Sequence, residues 1–240
     1  MDGTTVAGSA TETGGVFTVT GAGDVYRLVN GGDNDIVQQM LGGVLVALIA
    51  LVPLGVVFIT SECGRGTLRT TFTASPRRGR VLAAKALVLG AATFAAGLVA
   101  AVTAFLVAYP ILRGNGYRPS GYPEPSPWTP LSLRAVLGTA LVMAIVAVLS
   151  LGVGTLVRRT AAAVTVVIAL VVLPRIIGAF LPVGAELWIN RITPLAGLSI
   201  QQTRDRFDYA LGPWQGLAVL CAWAAAALAL AWWSLRRRDT

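Results

Sequence analysis

The chain has 240 residues, of which 55% are hydrophobic and only 12% charged, with a formal net charge of +8 and a mean hydropathy of +0.71. Soluble domains are roughly 25% charged, so this composition excludes an ordinary soluble fold and specifies an integral membrane protein. Two cysteines and no histidine exclude a disulfide framework, histidine-dependent catalysis and the commonest zinc sites.

Residues 1–36 are rich in Gly and Thr, carry five acids and one arginine, and lack the basic start of a signal peptide. They read as a loop-like external segment. Two readings account for such a tail: a five-span protein that sends it across unaided, or an external loop whose preceding helix is encoded upstream of Met1. An in-frame apolar segment of about 20 codons upstream would support the second.

Five apolar runs follow, at about 37–59, 83–110, 133–156, 161–182 and 213–235, each long enough to cross a hydrocarbon core. None alternates like a barrel strand, and backbone polar groups inside a bilayer must be satisfied within each span, so all five are expected to be helices. The expected fold class is therefore all-α, a polytopic membrane bundle with five visible spans.

In the first span Pro53 is expected to kink the helix. In the second, Gly90 and Gly97 share a face with Ala83 and Ala101, which favours a packed helix interface, although an Ala-rich chain produces such spacings by chance. Residues 110–131 hold six prolines with Tyr117, Tyr122 and Trp128. They read as a stiff surface loop, with a substrate-facing role as the other reading. Arg158 and Arg159 mark a four-residue turn that makes spans three and four an antiparallel hairpin.

Arg175 lies inside the fourth span, where a central arginine costs about 2.5–3.5 kcal/mol on insertion scales. Either it snorkels to the boundary or it lies in a substrate path, facing an anionic substrate or headgroup. Residues 183–212 are too polar to span and place Leu187, Trp188, Ile192 and Leu195 on helical spacing, so short helices in the external interface are expected. Arg236, Arg237 and Arg238 anchor the last helix behind a pair of tryptophans.

The charges orient these spans. Segments 60–85, 157–160 and 236–240 carry eleven basic residues against two acids, whereas 1–36, 110–134 and 183–212 carry seven against nine. The positive-inside rule makes the first set, including the 236–240 tail, cytoplasmic and 1–36 external, in a cell membrane. Arg77, Arg80, Lys85, Arg158, Arg159 and Arg236–Arg238 are expected at the membrane surface. There each basic residue is worth about 1 kcal/mol against anionic lipid, so the basicity does not call for a nucleic-acid partner.

The longest cytoplasmic loop, 61–80, reads SECGRGTLRTTFTASPRRGR. Ser61 can cap a segment that opens with Glu62. Leu68/Phe72 and Arg65/Arg69 stand four apart, which gives a short amphipathic helix with an apolar and a basic edge. Ser75-Pro76 ends that helix and starts the next, with Ser75 as cap and Pro76 at the first helical position. Such a helix across the cytoplasmic mouth can pass a push from a soluble partner into two spans; a loop that only fixes topology would look similar in charge.

Other chemistry is missing from the sequence. There is no phosphate-binding loop motif, no acid or histidine in the middle of a span for proton coupling, and no nucleophile elbow. The chain is therefore not expected to be an enzyme or to bind a cofactor itself.

The run ITSECGRGTLRTTFTASPRRGRVLAAKAL resembles the cytoplasmic loop of permease subunits of type-two-class ABC exporters. Glu62, Gly66, Thr67, Ser75, Pro76, Arg78 and Lys85 match that pattern, and the span order agrees. Cys63 departs from it, and so does the lack of a counterpart to the first of the family's six helices. The resemblance implies that Glu62, Gly66, Thr67, Leu68, Arg69, Phe72, Ser75, Pro76 and Arg78 form a coupling helix and joint. ATP and Mg would be held by partner ABC ATPase subunits, and a second permease protomer, identical or related, would complete the transporter. The implied activity is export of an amphipathic substrate such as a lipid, peptide or drug. A non-transporting membrane anchor that recruits a soluble protein through the same loop is the alternative, and a proton-driven carrier a distant third.

Overall fold

The computed structural model describes residues 9–13, 16–20, 36–64, 78–114, 129–157, 159–178, 180–181, 188–189, 191–203 and 211–237. They fall into two units, 1–34 and 35–240.

The first unit holds an antiparallel hairpin, β1 (Ser9–Thr13) and β2 (Val16–Thr20), in which Ser9 pairs with Thr20 and Thr13 with Val16. The segment read as loop-like thus contains strands. Val16, Phe17, Thr18, Val19 and Thr20 form an unbroken run of β-favouring residues, and Gly14-Gly15 is a favoured pair for a two-residue connection.

The second unit is all-α. It comprises α1 (Ile36–Met40), α2 (Val44–Gly64), α3 (Arg78–Gly114), α4 (Pro130–Val157), α5 (Thr160–Gly178), a 3₁₀ helix (Pro194–Gln201) and α6 (Pro213–Arg237). Helices α2 to α6 are each long and apolar enough to cross a membrane. The protein is a multi-pass helical membrane protein.

Several boundaries differ from expectation: α3 runs from Arg78 through Pro110 to Gly114, into the stretch read as a loop, and α5 ends at Gly178. The first apolar run breaks into α1 and α2 at a turn over Leu41–Gly43, where the Val44 amide donates to the Leu41 carbonyl. Gly42 and Gly43 carry the highest backbone cost in a helix, so the break falls there. At the other end α2 continues through Pro53 and past Ile59 to Gly64. Ser61 is therefore helical and does not cap a new segment, and Glu62 lies in the last turn of α2. Local helix propensity carries on where hydrophobicity stops.

Helix α4 is the centre of the bundle. Thr129 caps it, its Oγ1 accepting the Ser132 amide at 3.3 Å, with Pro130 in the first turn. Its apolar window is 72% buried, against 17% for α3 and 24% for α5. It packs against α2, α3, α5, α6 and the 3₁₀ helix. Small residues allow this: a methyl group on Gly55 of α2 would lie 2.9 Å from both the Ala147 carbonyl oxygen and Ser150 Cβ, so the two backbones approach closely.

The expected small face of α3 is present over part of its length. Gly97 and Ala101 are buried, Gly97 facing Ala140 and Met143, and Gly90 faces Val148. Ala83 is exposed, and Leu82, Ala86 and Leu89 take the buried positions instead. A strict seven-residue spacing drifts by about 20° per repeat on a straight helix, which turns Ala83 out of the interface. At that far end of α3, Val37, Met40 and Leu41 close a small second core with Ala101, Phe105, Ala135 and Val136.

Candidate functional site

One end of the bundle gathers the close of α2, the start of α3, the α4–α5 connection and the close of α6. Thr60, 7% exposed on α2, donates its hydroxyl to the Val56 carbonyl at 3.0 Å and accepts one from Thr160 at 2.9 Å. That bond fastens the last turns of α2 to the first residue of α5. Gly79, in the first turn of α3, packs so closely on Trp232 that a Cβ there would lie 2.8 Å from the indole Nε1. The two helices that flank the 65–77 connection are thus each tied to a different neighbour.

This end is basic. Arg80, Arg159, Arg236 and Arg237 are exposed and Lys85 is half-buried. The guanidinium of Arg236 sits 4.2 Å from the centre of the Trp232 ring, and that of Arg237 lies 3.9 Å from Trp233. Both pairs stand four apart on α6, where side chains share a face. Cation–π stacking holds each charge beside an amphipathic ring suited to the membrane boundary.

Of the residues that the loop motif singled out, Gly66, Thr67, Leu68, Arg69, Phe72, Ser75, Pro76 and Arg77 lie outside the described residues, as do Arg158 and Arg238. Glu62 and Arg78 are placed by their helices, at the end of α2 and at the first residue of α3. Helix α3 starts two residues after Pro76. The Thr60–Thr160 and Gly79–Trp232 contacts were not anticipated, although the tryptophan pair itself was expected to anchor the last helix. Thr and Trp are common at span ends, and nothing in a linear pattern pairs residues a hundred positions apart.

At the opposite end the 183–212 segment contains a 3₁₀ helix, Pro194–Gln201, that packs against α4 and α6. Pro194, Leu195, Ala196, Gly197, Ile200 and Gln201 are buried, while Trp188 and Ile192 are exposed. The Ile192 carbonyl, on an exposed residue, accepts the Trp223 indole N–H at 2.8 Å, and Trp223 is ten residues into α6. Ala196 and Ser199 meet Gly216, Gly197 meets Leu220, and Ile200 meets Gly138. Gln201 Nε2 then donates to Thr139 Oγ1 at 2.9 Å, and the Arg134 guanidinium donates to the Gln202 carbonyl.

The 3₁₀ helix is wedged between α4 and α6. Non-helical backbone is tolerated at membrane depth when it is buried in protein, and three glycines supply the room. Gly216 is the tightest, since an added Cβ would fall against the Ala196 carbonyl oxygen and Ser199 Oγ. Arg175 is one turn beyond Val171, which shares a core with Ile200 and Leu220; its side chain lies outside the described residues.

No family model, curated protein or solved structure matches the chain.

The Thr60–Thr160 bond carries an expectation of its own. Thr60→Val keeps the shape and removes the acceptor, and interhelical hydrogen bonds in membranes average about 0.6 kcal/mol. The variant should lose about that much stability in detergent unfolding. Adding Thr160→Val should cost little more; two fully additive losses would show that the hydroxyls do not act on each other.

Proposed function

We propose that this chain is the membrane-spanning permease subunit of an ATP-driven ABC exporter of the type-two class. In this reading the arginine-rich end faces the cytoplasm, as the positive-inside rule requires, and residues 1–36 are external. The protein resides in the cell membrane, and ABC ATPase subunits dock on the 61–80 loop. A second permease protomer, identical or related, completes the transporter, and ATP and Mg bind in the ATPase subunits.

The observation that carries the reading is the loop motif, in which Glu62, Gly66-Thr67, Ser75-Pro76, Arg78 and Lys85 stand in the family's order between two spans. The bundle supports it mechanically. The loop joins α2 to α3; α2 is fastened to α5 through Thr60, and α3 to α6 through Gly79 and Trp232. A displacement of the loop would therefore reach four of the five spanning helices.

Affinity purification of the full chain from its native membrane tests this. The expected result is a co-purifying ATPase whose hydrolysis responds to amphipathic compounds. Replacing Gly66-Thr67 by two leucines, or Arg69 by glutamate, should abolish most of that stimulation while leaving membrane insertion at the wild-type level. Recovery of a soluble partner with no nucleotide hydrolysis would favour the anchor reading. Normal stimulation in both variants would remove the coupling role of the loop.

A further inference from the structure

We infer that the joint between α3 and α6 at the arginine-rich end is a binding site for one anionic phospholipid, its phosphate held by Arg80 and Arg236 beside the Trp232 ring. The two helices meet there at Gly79, where a Cβ would lie 2.8 Å from the Trp232 indole Nε1. Arg236 sits over the face of the same ring, 4.2 Å from its centre, and Arg80 is the residue after Gly79. One ring thus carries a cation from α6 and stands against the backbone that bears a cation from α3.

Both arginines are exposed and Trp232 is 42% exposed, so the joint is open to a ligand. The stretches that meet here, 76–93 and 222–240, hold seven basic residues against one acid, Asp239. Cation–π attraction uses the charge of a guanidinium and leaves its fork of N–H donors for an oxyanion. Ordering that side chain in advance lowers the cost of binding.

The apolar surroundings favour a lipid over a free anion or an acidic protein. Leu230 stands six residues before Arg236 on α6, about 9 Å along the helix, and Leu87 seven residues beyond Arg80 on α3, about 10 Å along it. They are 51% and 73% exposed. Apolar side chains on both helices therefore lie on the membrane side of the arginines, as acyl chains beneath a phosphate require. A soluble acidic surface would meet the charge and not this apolar flank. Basic pockets between spanning helices take anionic headgroups in this way. The site goes beyond the permease reading and needs no ATPase.

Native mass spectrometry of the full chain released from maltoside micelles counts the lipids that it keeps. Titrated with dioleoyl phosphatidylglycerol, the protein should hold one molecule saturably; dioleoyl phosphatidylcholine at the same concentrations should show no saturable binding. Arg236→Gln should weaken retention about tenfold, the scale of one charged hydrogen bond, and Arg80→Gln should do the same. Arg159→Gln, which removes an equal charge from the α4–α5 connection at the same end, should leave retention unchanged. Equal losses in Arg159→Gln and Arg236→Gln overturn the inference, because they mean a diffuse surface charge. So does equal retention of the two lipids, or displacement of phosphatidylglycerol by millimolar inorganic phosphate. Failure to retain any phosphatidylglycerol overturns it too, and leaves the arginines to an acidic protein partner. If the Gln variants do not fold, the count on the wild-type protein decides: one saturable molecule supports the site, and several bound without saturation overturn it. Co-purification of an ATPase bears on the permease reading alone, so the two fail separately.

Discussion

Gly216→Val is expected to displace the 3₁₀ helix and to cost about 3 kcal/mol or more, the upper part of the range for overpacking a filled core. The reason lies in what the new side chain meets. A Cβ at this position falls against the Ala196 carbonyl oxygen and Ser199 Oγ, and a backbone carbonyl inside a packed segment cannot rotate aside as a side-chain tip can. Relief requires α6 or the 3₁₀ helix to move bodily, which strains the Gln201–Thr139 and Trp223–Ile192 bonds that fix the segment's register. The readout is the midpoint of thermal unfolding in detergent, with Gly43→Ala as control, because nothing lies within 4 Å of a Cβ at Gly43. A second readout is maleimide labelling of Ser199→Cys in a chain lacking Cys63 and Cys221: slow in the parent and fast with Gly216→Val. An unchanged midpoint and unchanged labelling would mean that α6 and the 3₁₀ helix are not in contact at this point.

The Gln201–Thr139 pair is expected to show strong coupling. Gln201 is 2% exposed and Thr139 is 3% exposed, so neither can turn to water when its partner is removed. Leaving one buried polar group unsatisfied costs about 1–3 kcal/mol, whereas replacing both by apolar groups of similar shape can be nearly neutral. Gln201→Leu leaves the Thr139 hydroxyl able to donate to the Ala135 carbonyl, a bond of 2.7 Å already present. Thr139→Val removes the only acceptor for the Gln201 amide among the described residues. Thr139→Val should therefore be the costlier single change, and the double variant should be less destabilised than the two losses added together. A double-mutant cycle on unfolding free energies measures the difference. Additive losses would show that the hydrogen bond contributes nothing beyond the packing of each residue.

How far the sequence could be read varied by element. The five spans were legible because about twenty consecutive apolar residues admit few alternatives in a bilayer, and α4 (Pro130–Val157) matches its expected 133–156 within three residues. The split of the first run at Leu41–Gly43 was not, since two glycines inside an apolar helix are usually tolerated in membranes. The hairpin at Ser9–Thr20 was hidden by Gly and Thr, which suit loops and turns as well as strands. For the 183–212 segment, helical spacing pointed to short helices, and spacing alone does not say that Leu195 is buried in protein while Trp188 and Ile192 are exposed. Gly66 to Pro76, which carry the loop resemblance, lie outside the described residues. The flanking anchors Thr60, Thr160, Gly79 and Trp232 had no linear signal.

By itself the sequence determined that this is a helical membrane protein, how many spans it shows, and which ends gather the arginines. Those properties are sums over contiguous residues, in which apolar length meets bilayer thickness and charge meets the membrane surface. Only the tertiary structure decided that α4 is central while α3 and α5 stand outside, and that Pro194–Gln201 is buried between α4 and α6. All five spans are apolar all round, so no hydrophobic face distinguishes a helix touching lipid from one touching its neighbours. The choice is made by close packing at small residues such as Gly55, Gly97, Gly138 and Gly216, and by a few hydrogen bonds between distant positions. Those interactions depend on which backbones can approach, a property of pairs of helices that no single stretch of sequence contains.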